Sequence, residues 1–124
     1  MRKMQSAIAC AAGFLIASVA CVGQPTSPGY SHAELRKMIR EAHTAEQYQT
    51  LATYFSSQEM SYEQRAAVEK REWLRLRPVY ATLNQKYPRP ADSSRNWYMY
   101  LTYKAQQMDA QATHYEGLAA SATQ

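Results

Sequence analysis

Cations and aromatic rings crowd together between positions 70 and 95 of the chain. Only Glu72 and Asp92 oppose the seven basic residues there, so this stretch has a local net charge of +5. Cations beside aromatic rings favour anionic, partly apolar partners, such as lipid head groups or an acidic protein surface. We predict a binding site made of Lys70, Arg71, Arg75, Arg77, Lys86, Arg89, Arg95, Trp73 and Tyr87.

The same cations also have a purely structural interpretation. Basic residues in the last turns of a helix stabilise the negative end of its dipole, and charge runs are often simply solvated. By contrast, no Lys or Arg occurs from Glu41 to Glu63, where four glutamates lie. The sequence therefore predicts a molecule whose two ends carry opposite charge.

His43, His114 and Glu59 are the residues best suited to bind a metal ion, because imidazole nitrogens and carboxylate oxygens are common ligands. The sequence has no His-Glu-x-x-His, Cys-x-x-Cys or Glu-x-x-His spacing, which would bring several ligands together. It also lacks the nucleophile elbow and the phosphate-binding and glycine-rich loops of enzymes. We therefore expect no catalytic residue, metal or cofactor. The alternative is a small metal-binding protein that uses these three side chains.

Residues 1–20 have the pattern of a cleaved signal peptide. Arg2 and Lys3 precede an uncharged apolar run over residues 7–20, which ends in small side chains at Ser18 and Ala20. A membrane-spanning helix needs about 20 apolar residues, more than this run offers, and an uncleaved membrane anchor is the alternative. We expect an exported protein that is periplasmic or associated with the cell envelope.

Cys21 would be the first residue after cleavage, where bacterial lipoproteins carry an acylated cysteine. Their signals usually have Leu three residues earlier, but Ser18 stands there, so lipidation of Cys21 is the alternative to ordinary cleavage. Residues 21–30 are rich in Pro, Ser and Gly and suit a flexible tether. Because Cys10 lies in the signal, the mature chain would hold one cysteine and no internal disulfide.

Charge argues against nucleic-acid binding. Removal of Arg2 and Lys3 lowers the count of Lys and Arg from 14 to 12, against 10 acidic residues, which leaves a net charge of +2. Nucleic-acid-binding domains are usually far more basic.

Good helix formers dominate the rest of the chain, and no alternating run of β-branched residues predicts a strand. Two capping-box pairs, Ser31 with Glu34 and Thr44 with Gln47, predict helix starts. We predict an all-α domain over 31–124 with helices over about 31–43, 45–76 and 93–122. Pro78 should end or kink the second helix, and Asp92 or Ser93 should cap the third.

The third helix has a heptad pattern, in which apolar positions alternate steps of four and three. These positions are Leu101, Ala105, Met108, Ala112, Tyr115, Ala119 and Ala122. Two long helices of similar length with a short connector favour an antiparallel hairpin, with the basic residues at its tip. The short N-terminal helix must cover part of the apolar stripe, or two copies must pair as a homodimer.

A register follows if Leu76 lies opposite Trp97. Glu69 then faces Lys104, and we predict an ion pair between them that fixes the register. Glu59 falls near His114 in the same register, so the two could form a hydrogen bond.

The chain resembles a group of small exported bacterial proteins in three stretches. These are HTAEQYQTLATYF at 43–55, KYPRPADSSR at 86–95 and ATHYEGLA at 112–119. The resemblance implies a signal peptide and a helical hairpin but no activity, because we know of no established function for the group. Some members have His and Cys at the start of the final helix. Ser93 and Ser94 stand there in this chain, so no thiol or metal role carries over.

These observations together predict a non-enzymatic exported protein, which serves as an envelope-associated binding or structural module. Its partner would be an unknown protein or an anionic envelope surface that contacts the basic, aromatic tip of the hairpin. The alternatives are a small periplasmic metal-binding protein and a holdase-like stress protein that uses exposed helix faces.

Overall fold

The computed structural model of the protein describes residues 29–80 and 89–124, which are 90% helical and contain no strand. The helices are α1 (His32–Glu41), α2 (Ala45–Tyr80) and α3 (Pro90–Ala122). The predicted signal peptide, Cys21 and residues 21–28 of the predicted tether lie outside the described residues, as do Lys86 and Tyr87. Across the described ranges, no helix combines the length and the apolar character that crossing a membrane requires.

Both predicted capping boxes form. The Ser31 hydroxyl accepts a hydrogen bond from the Glu34 N–H at 3.2 Å, and the Glu34 carboxylate accepts one from the Ser31 N–H at 2.7 Å. Likewise, the Thr44 hydroxyl accepts from the Gln47 N–H at 3.3 Å, and the Gln47 side chain accepts from the Thr44 N–H at 3.2 Å. The first N–H groups of a helix lack partners within it, so these bonds define where α1 and α2 begin.

Helix α2 continues through Pro78 to Tyr80 instead of ending at residue 76. A proline within a helix removes one hydrogen bond and crowds the preceding turn. Because only two residues of α2 follow Pro78, this loss falls in the last turn, where helix ends fray in any case.

Helix α3 begins at Pro90, earlier than the predicted residue 93. Proline suits the first helical position, because its φ angle is already helical and no N–H is left without a partner. Arg89 is the N-cap, with extended backbone and no side-chain capping bond. Neither Asp92 nor Ser93 caps the helix, and Asp92 instead accepts a hydrogen bond from the Arg89 guanidinium at 2.8 Å.

Helices α2 and α3 pack side by side and run antiparallel. Phe55 stacks on Tyr115, and Trp73, farther along α2, stacks on Tyr98, nearer the start of α3. Small side chains line this contact, and the buried alanines are Ala52, Ala66, Ala91, Ala105, Ala112 and Ala119. The alanines at 105, 112 and 119 confirm the predicted heptad and let the two helices approach closely. Ala122, the last predicted heptad position, is exposed.

The register differs from the predicted one by two to three residues, which is less than one helical turn. Tyr98 stacks on Trp73 of α2, whereas its neighbour Trp97 lies at the edge of the contact, beside Val68 and Glu69, and is 52% exposed. The predicted register placed Trp97 in the contact. Because Tyr98 takes that place, each residue of α2 faces a different residue of α3 from the one predicted.

The predicted ion pair between Glu69 and Lys104 does not form in this register. Glu69 lies beside Trp97 and Leu101, and the Lys104 ammonium donates to the Gln107 side chain at 3.4 Å. The ion pairs within residues 29–80 and 89–124 are Arg75–Glu72 and Arg89–Asp92. The register is therefore set by aromatic stacking and small-residue packing.

Helix α1 folds back along the start of α2. Tyr30, just before α1, packs on Tyr54 with ring centroids 5.5 Å apart, although the α1–α2 turn lies at residues 42–44. Leu35, Met38 and Ala42 rest against a core of Leu51, Ala52, Phe55, Ala112 and Tyr115. Since α1 has only 10 residues and α2 has 36, α1 covers just one end of the hairpin.

Candidate functional site

The predicted cations come together where α2 ends and α3 begins. We call this region the basic tip, and its described members are Lys70, Arg71, Arg75, Arg77, Arg89 and Arg95. All of them are exposed except Arg89, which is half-buried. The antiparallel packing explains this placement, because it brings the last turns of α2 beside the first turns of α3.

Two arginines of the basic tip are held by neighbours on their own helix. The Arg75 guanidinium donates to both carboxylate oxygens of Glu72, at 2.8 and 2.5 Å. This bond lowers the pKa of Glu72 below its usual value. Arg89 pairs with Asp92 in the same i, i+3 spacing. The only two acidic residues of this stretch are therefore already engaged.

Three other arginines keep their charge available to a partner. Arg71, Arg77 and Arg95 are exposed and make no ion pair with any residue in the described ranges. An exposed guanidinium presents five N–H donors and cannot be deprotonated at physiological pH. These three side chains can therefore bind carboxylate or phosphate oxygens.

Trp73 does not act as a free ring at the basic tip. It is half-buried and stacks on Tyr98, with 6.2 Å between ring centroids and 20° between ring planes. The Lys70 ammonium lies 5.7 Å from the centre of the same Tyr98 ring, within the range of a cation–π interaction. Trp73 thus helps to join α2 to α3, and its contact with a partner stays a prediction.

An open cleft of about 670 Å³ lies at the start of α3. Arg89, Arg95 and Asn96 line it together with the rings of Trp97 and Tyr100. The two rings are 52% and 50% exposed and meet edge to face, with centroids 5.7 Å apart. Asn96, Trp97 and Tyr100 were not among the predicted site residues. Their only signal in the sequence is the dense run of aromatic residues from 97 to 103, of which one helix face can bury only a part.

The other end of the hairpin carries the opposite charge. Residues 41–63 of α2 and its preceding turn, with residues 105–124 of α3, contain six acidic residues and no Lys or Arg. Residues 65–80 and 89–104, toward the basic tip, contain eight basic and three acidic residues. Among residues 29–80 and 89–124, only α1, which carries Arg36, Lys37 and Arg40, reduces the negative charge of the acidic end.

The structure does not bring the metal-binding candidates together. His43 is exposed and its Nδ1 lies 2.6 Å from the Glu41 carbonyl oxygen, while His114 is exposed and meets Tyr115 edge to face. Glu59 lines a groove with Asp109 of α3, and His114 is not among the residues that line it. Over residues 29–80 and 89–124, no group of three or more His, Cys, Asp or Glu side chains could hold a metal ion.

A groove between the helices surrounds Glu59 with other carboxylates. Glu63 and Asp109 line the groove with it, and Lys70 lies at its far end. Partial burial, and then the charges of Asp109 and Glu63, raise the pKa of Glu59. Glu59 thus adds an unfavourable charge to the contact between α2 and α3 at neutral pH.

Comparison with known proteins gives no relative from which a function could be transferred: no family model, no curated protein and no solved structure matches the chain.

Proposed function

We propose that the protein is a non-enzymatic, exported binding module whose basic tip contacts an anionic surface of the cell envelope. The observation that supports this most directly is the set of three exposed arginines, Arg71, Arg77 and Arg95, which have no ion-pair partner among the described residues. Export itself rests on the signal-peptide pattern of residues 1–20.

The charge distribution favours an oriented contact. The basic tip and the acidic end lie at opposite ends of helices that are roughly 50 Å long, at about 1.5 Å per residue. A negative surface attracts one end of such a molecule and repels the other. The hairpin would therefore approach an anionic surface with its tip first.

The strength of this attraction can be estimated from the three free arginines. A basic residue near an anionic lipid surface contributes about 1 kcal/mol, and the effect falls off within a Debye length of about 8 Å at physiological salt. Three such residues give about 3 kcal/mol, which corresponds to roughly a hundredfold in affinity. The rings of Trp97 and Tyr100, beside Arg95 in the cleft, suit the interfacial region of a membrane.

The test compares two charge reversals of equal size at opposite ends of the molecule. One variant carries Arg71→Glu, Arg77→Glu and Arg95→Glu, and the control carries three reversals in α1. The control substitutions are Arg36→Glu, Lys37→Glu and Arg40→Glu, all at exposed positions. Binding is measured by co-sedimentation with vesicles of phosphatidylglycerol and phosphatidylcholine, using the chain that an exporting host releases, with its N-terminus defined by intact mass.

We expect the tip variant to lose vesicle binding by at least about a hundredfold, because the three glutamates add repulsion to the lost attraction, while the α1 control loses much less. The wild-type protein should bind vesicles of phosphatidylcholine alone weakly, and added salt should reduce its binding to anionic vesicles. Equal losses in both variants would show that only net charge matters. No binding by the wild type would exclude a lipid surface and favour an acidic protein as the partner.

The metal-binding alternative is tested separately. It requires His43, His114 and Glu59 to bind copper, zinc or nickel, although they do not lie together in one protein molecule. Titration calorimetry of the purified chain with each metal distinguishes the two functions, because tight uptake that His114→Ala abolishes would support the alternative.

A further inference from the structure

One side of the hairpin is covered by α1 at the acidic end and left open toward the basic tip. Tyr54 marks the covered part, because it packs on Tyr30 just before α1. Val68 follows Tyr54 by 14 residues, nearly four helical turns, so both lie on the same side of α2. At about 1.5 Å per residue, α1 spans about 15 Å, less than a third of α2.

The open part of this side is apolar and aromatic. Val68 and Trp97 line a shallow groove of about 260 Å³ with Leu101 and Glu69, and Tyr100 packs on Trp97. Val68, Trp97 and Tyr100 are each at least half exposed. We call this surface, from residue 58 to residue 80 of α2 with the facing turns of α3, the open face. Large exposed apolar patches of this kind usually mark interaction sites.

The open face has the size of a dimer interface. It is about 35 Å long, for 23 residues of α2 at about 1.5 Å each, and two helices wide, at about 10 Å per helix. This gives about 700 Å², close to the 800 Å² or so that each partner of a typical specific complex contributes. A second hairpin laid on this face would complete a four-helix bundle.

The charges of the open face favour a second copy of the chain as the partner, and they favour an antiparallel arrangement of the two copies. The open face bears both signs, because Arg65 and Glu69 line the groove and Lys104 lies one heptad after Trp97. In an antiparallel pair, the basic tip of each copy lies toward the acidic end of the other. In a parallel pair, like charges would meet at both ends and oppose association.

We propose that the protein forms an antiparallel homodimer through the open face, with Val68, Trp97 and Tyr100 at its centre. In this dimer α2 and α3 of two copies form a four-helix bundle, and the α1 helices flank it at opposite ends. In a two-fold pair, the open face of one copy contacts the open face of the other, so this face must be complementary to itself. An apolar face that carries both Arg65 and Glu69 meets this requirement. The dimer does not depend on the proposed function of the basic tip. One molecule cannot do both at once, because the antiparallel pair buries Trp97 and Tyr100 and places an acidic end beside each basic tip.

The test uses sedimentation equilibrium of the exported chain and two matched pairs of alanine substitutions in α3. The interface pair is Trp97→Ala with Tyr100→Ala. The control pair is Met99→Ala with Tyr103→Ala, whose side chains are as exposed, at 60% and 57%, but are centred about 110° farther around the helix. Circular dichroism confirms that both variants keep the wild-type helix content.

We expect the wild type to sediment as a dimer, the control pair to dimerise like the wild type, and the interface pair to dimerise at least about tenfold more weakly. Because opposite charges meet in the antiparallel pair, added salt should weaken the dimer; stronger association at high salt would point to a parallel pair and contradict the proposal. A monomeric wild type would overturn it, and so would equal losses in both pairs. A wild-type monomer that suppresses the aggregation of an unfolded client would instead assign the open face to a holdase. These measurements use no vesicles, so their failure leaves the proposed function of the basic tip untouched.

Discussion

Phe55 and Tyr115 stack with nearly parallel rings across the contact between α2 and α3, with ring centroids 5.5 Å apart and 6° between ring planes. Both rings are at most 7% exposed, and Leu35 and Met38 of α1 rest on the same core. This one contact therefore links all three helices. Its loss should affect the whole fold and not a single helix end.

We expect Phe55→Ala to lower the free energy of unfolding by about 3 kcal/mol, because it removes a buried ring and leaves a cavity between the helices. Leu74→Ala is the control, since Leu74 is 49% exposed on the same helix and should cost well under 1 kcal/mol. Urea titrations followed by circular dichroism at one fixed protein concentration measure both. Similar losses for the two variants would contradict the stacked core.

The close approach of the two helices depends on alanine at position 112. Ala112 is 4% exposed in the contact with α2, so Ala112→Leu should force the helices apart and cost about 1–3 kcal/mol. Ala110→Leu makes the same change two residues earlier, where the side chain is exposed, and should change stability by less than about 0.5 kcal/mol. Thermal unfolding of both variants tests this. If the two leucines have equal effects, the helices are not closely packed at residue 112.

Local signals explain how much of this fold could be predicted from the sequence. The capping boxes at Ser31 and Thr44 and the alanine heptad of α3 each depend on residues within one or two turns of a helix. The register could not be predicted in the same way, since it depends on whether Trp97 or Tyr98 faces α2. That choice is made by the stacking of Trp73 on Tyr98, which joins residues far apart in the chain.

The candidate site could likewise be predicted from the sequence only in part. Its cations could be predicted from their density in the sequence, and the pairing of Arg75 with Glu72 follows from i, i+3 spacing on one helix. The role of Trp73 could not be predicted, because a ring at helical spacing is equally compatible with the core and with a binding surface. Tyr100 was missed for the related reason that exposure depends on the final register.

The capping box at Thr44 should contribute more to the free energy of unfolding than the other hydroxyl hydrogen bonds of α2. We expect Thr44→Ala to cost about 1 kcal/mol, because it leaves the Gln47 N–H without its acceptor where the chain turns from α1 into α2. Thr50→Ala is the matched control, since its hydroxyl donates to the Glu46 carbonyl, which is already part of the helix. Chemical denaturation of both variants should show a loss only for Thr44→Ala, and hydrogen exchange should speed up in the first turn of α2. An equal loss of stability in Thr50→Ala would show that the loss in Thr44→Ala does not come from the capping bond.

Glu59 should make the stability of the hairpin depend on pH. The groove around it contains Glu63 and Asp109 and, at its far end, Lys70, and the pKa of Glu59 is raised by partial burial and by the two carboxylates. For an acid whose folded pKa lies above its unfolded value, the stability contribution is fully present below the unfolded pKa and is lost as pH rises through the folded pKa. Glu59→Gln removes the charge, so it should stabilise the protein at pH 7. Because the side chain is partly exposed and solvent screens its charge, we expect a gain of at most about 0.5 kcal/mol.

The same substitution should have no effect at about pH 3.5, where protonated glutamate and glutamine are close equivalents. Glu116→Gln, an exposed carboxylate on α3 outside the groove, serves as the control. Urea titrations of the wild type and both variants at several pH values between these limits measure the difference. A destabilised Glu59→Gln variant at pH 7 would mean that Glu59 has a favourable cationic partner after all, as the predicted contact with His114 would provide. A gain that appears only above the unfolded pKa of Glu59 would instead show that the carboxylates around it oppose the packing of α2 on α3.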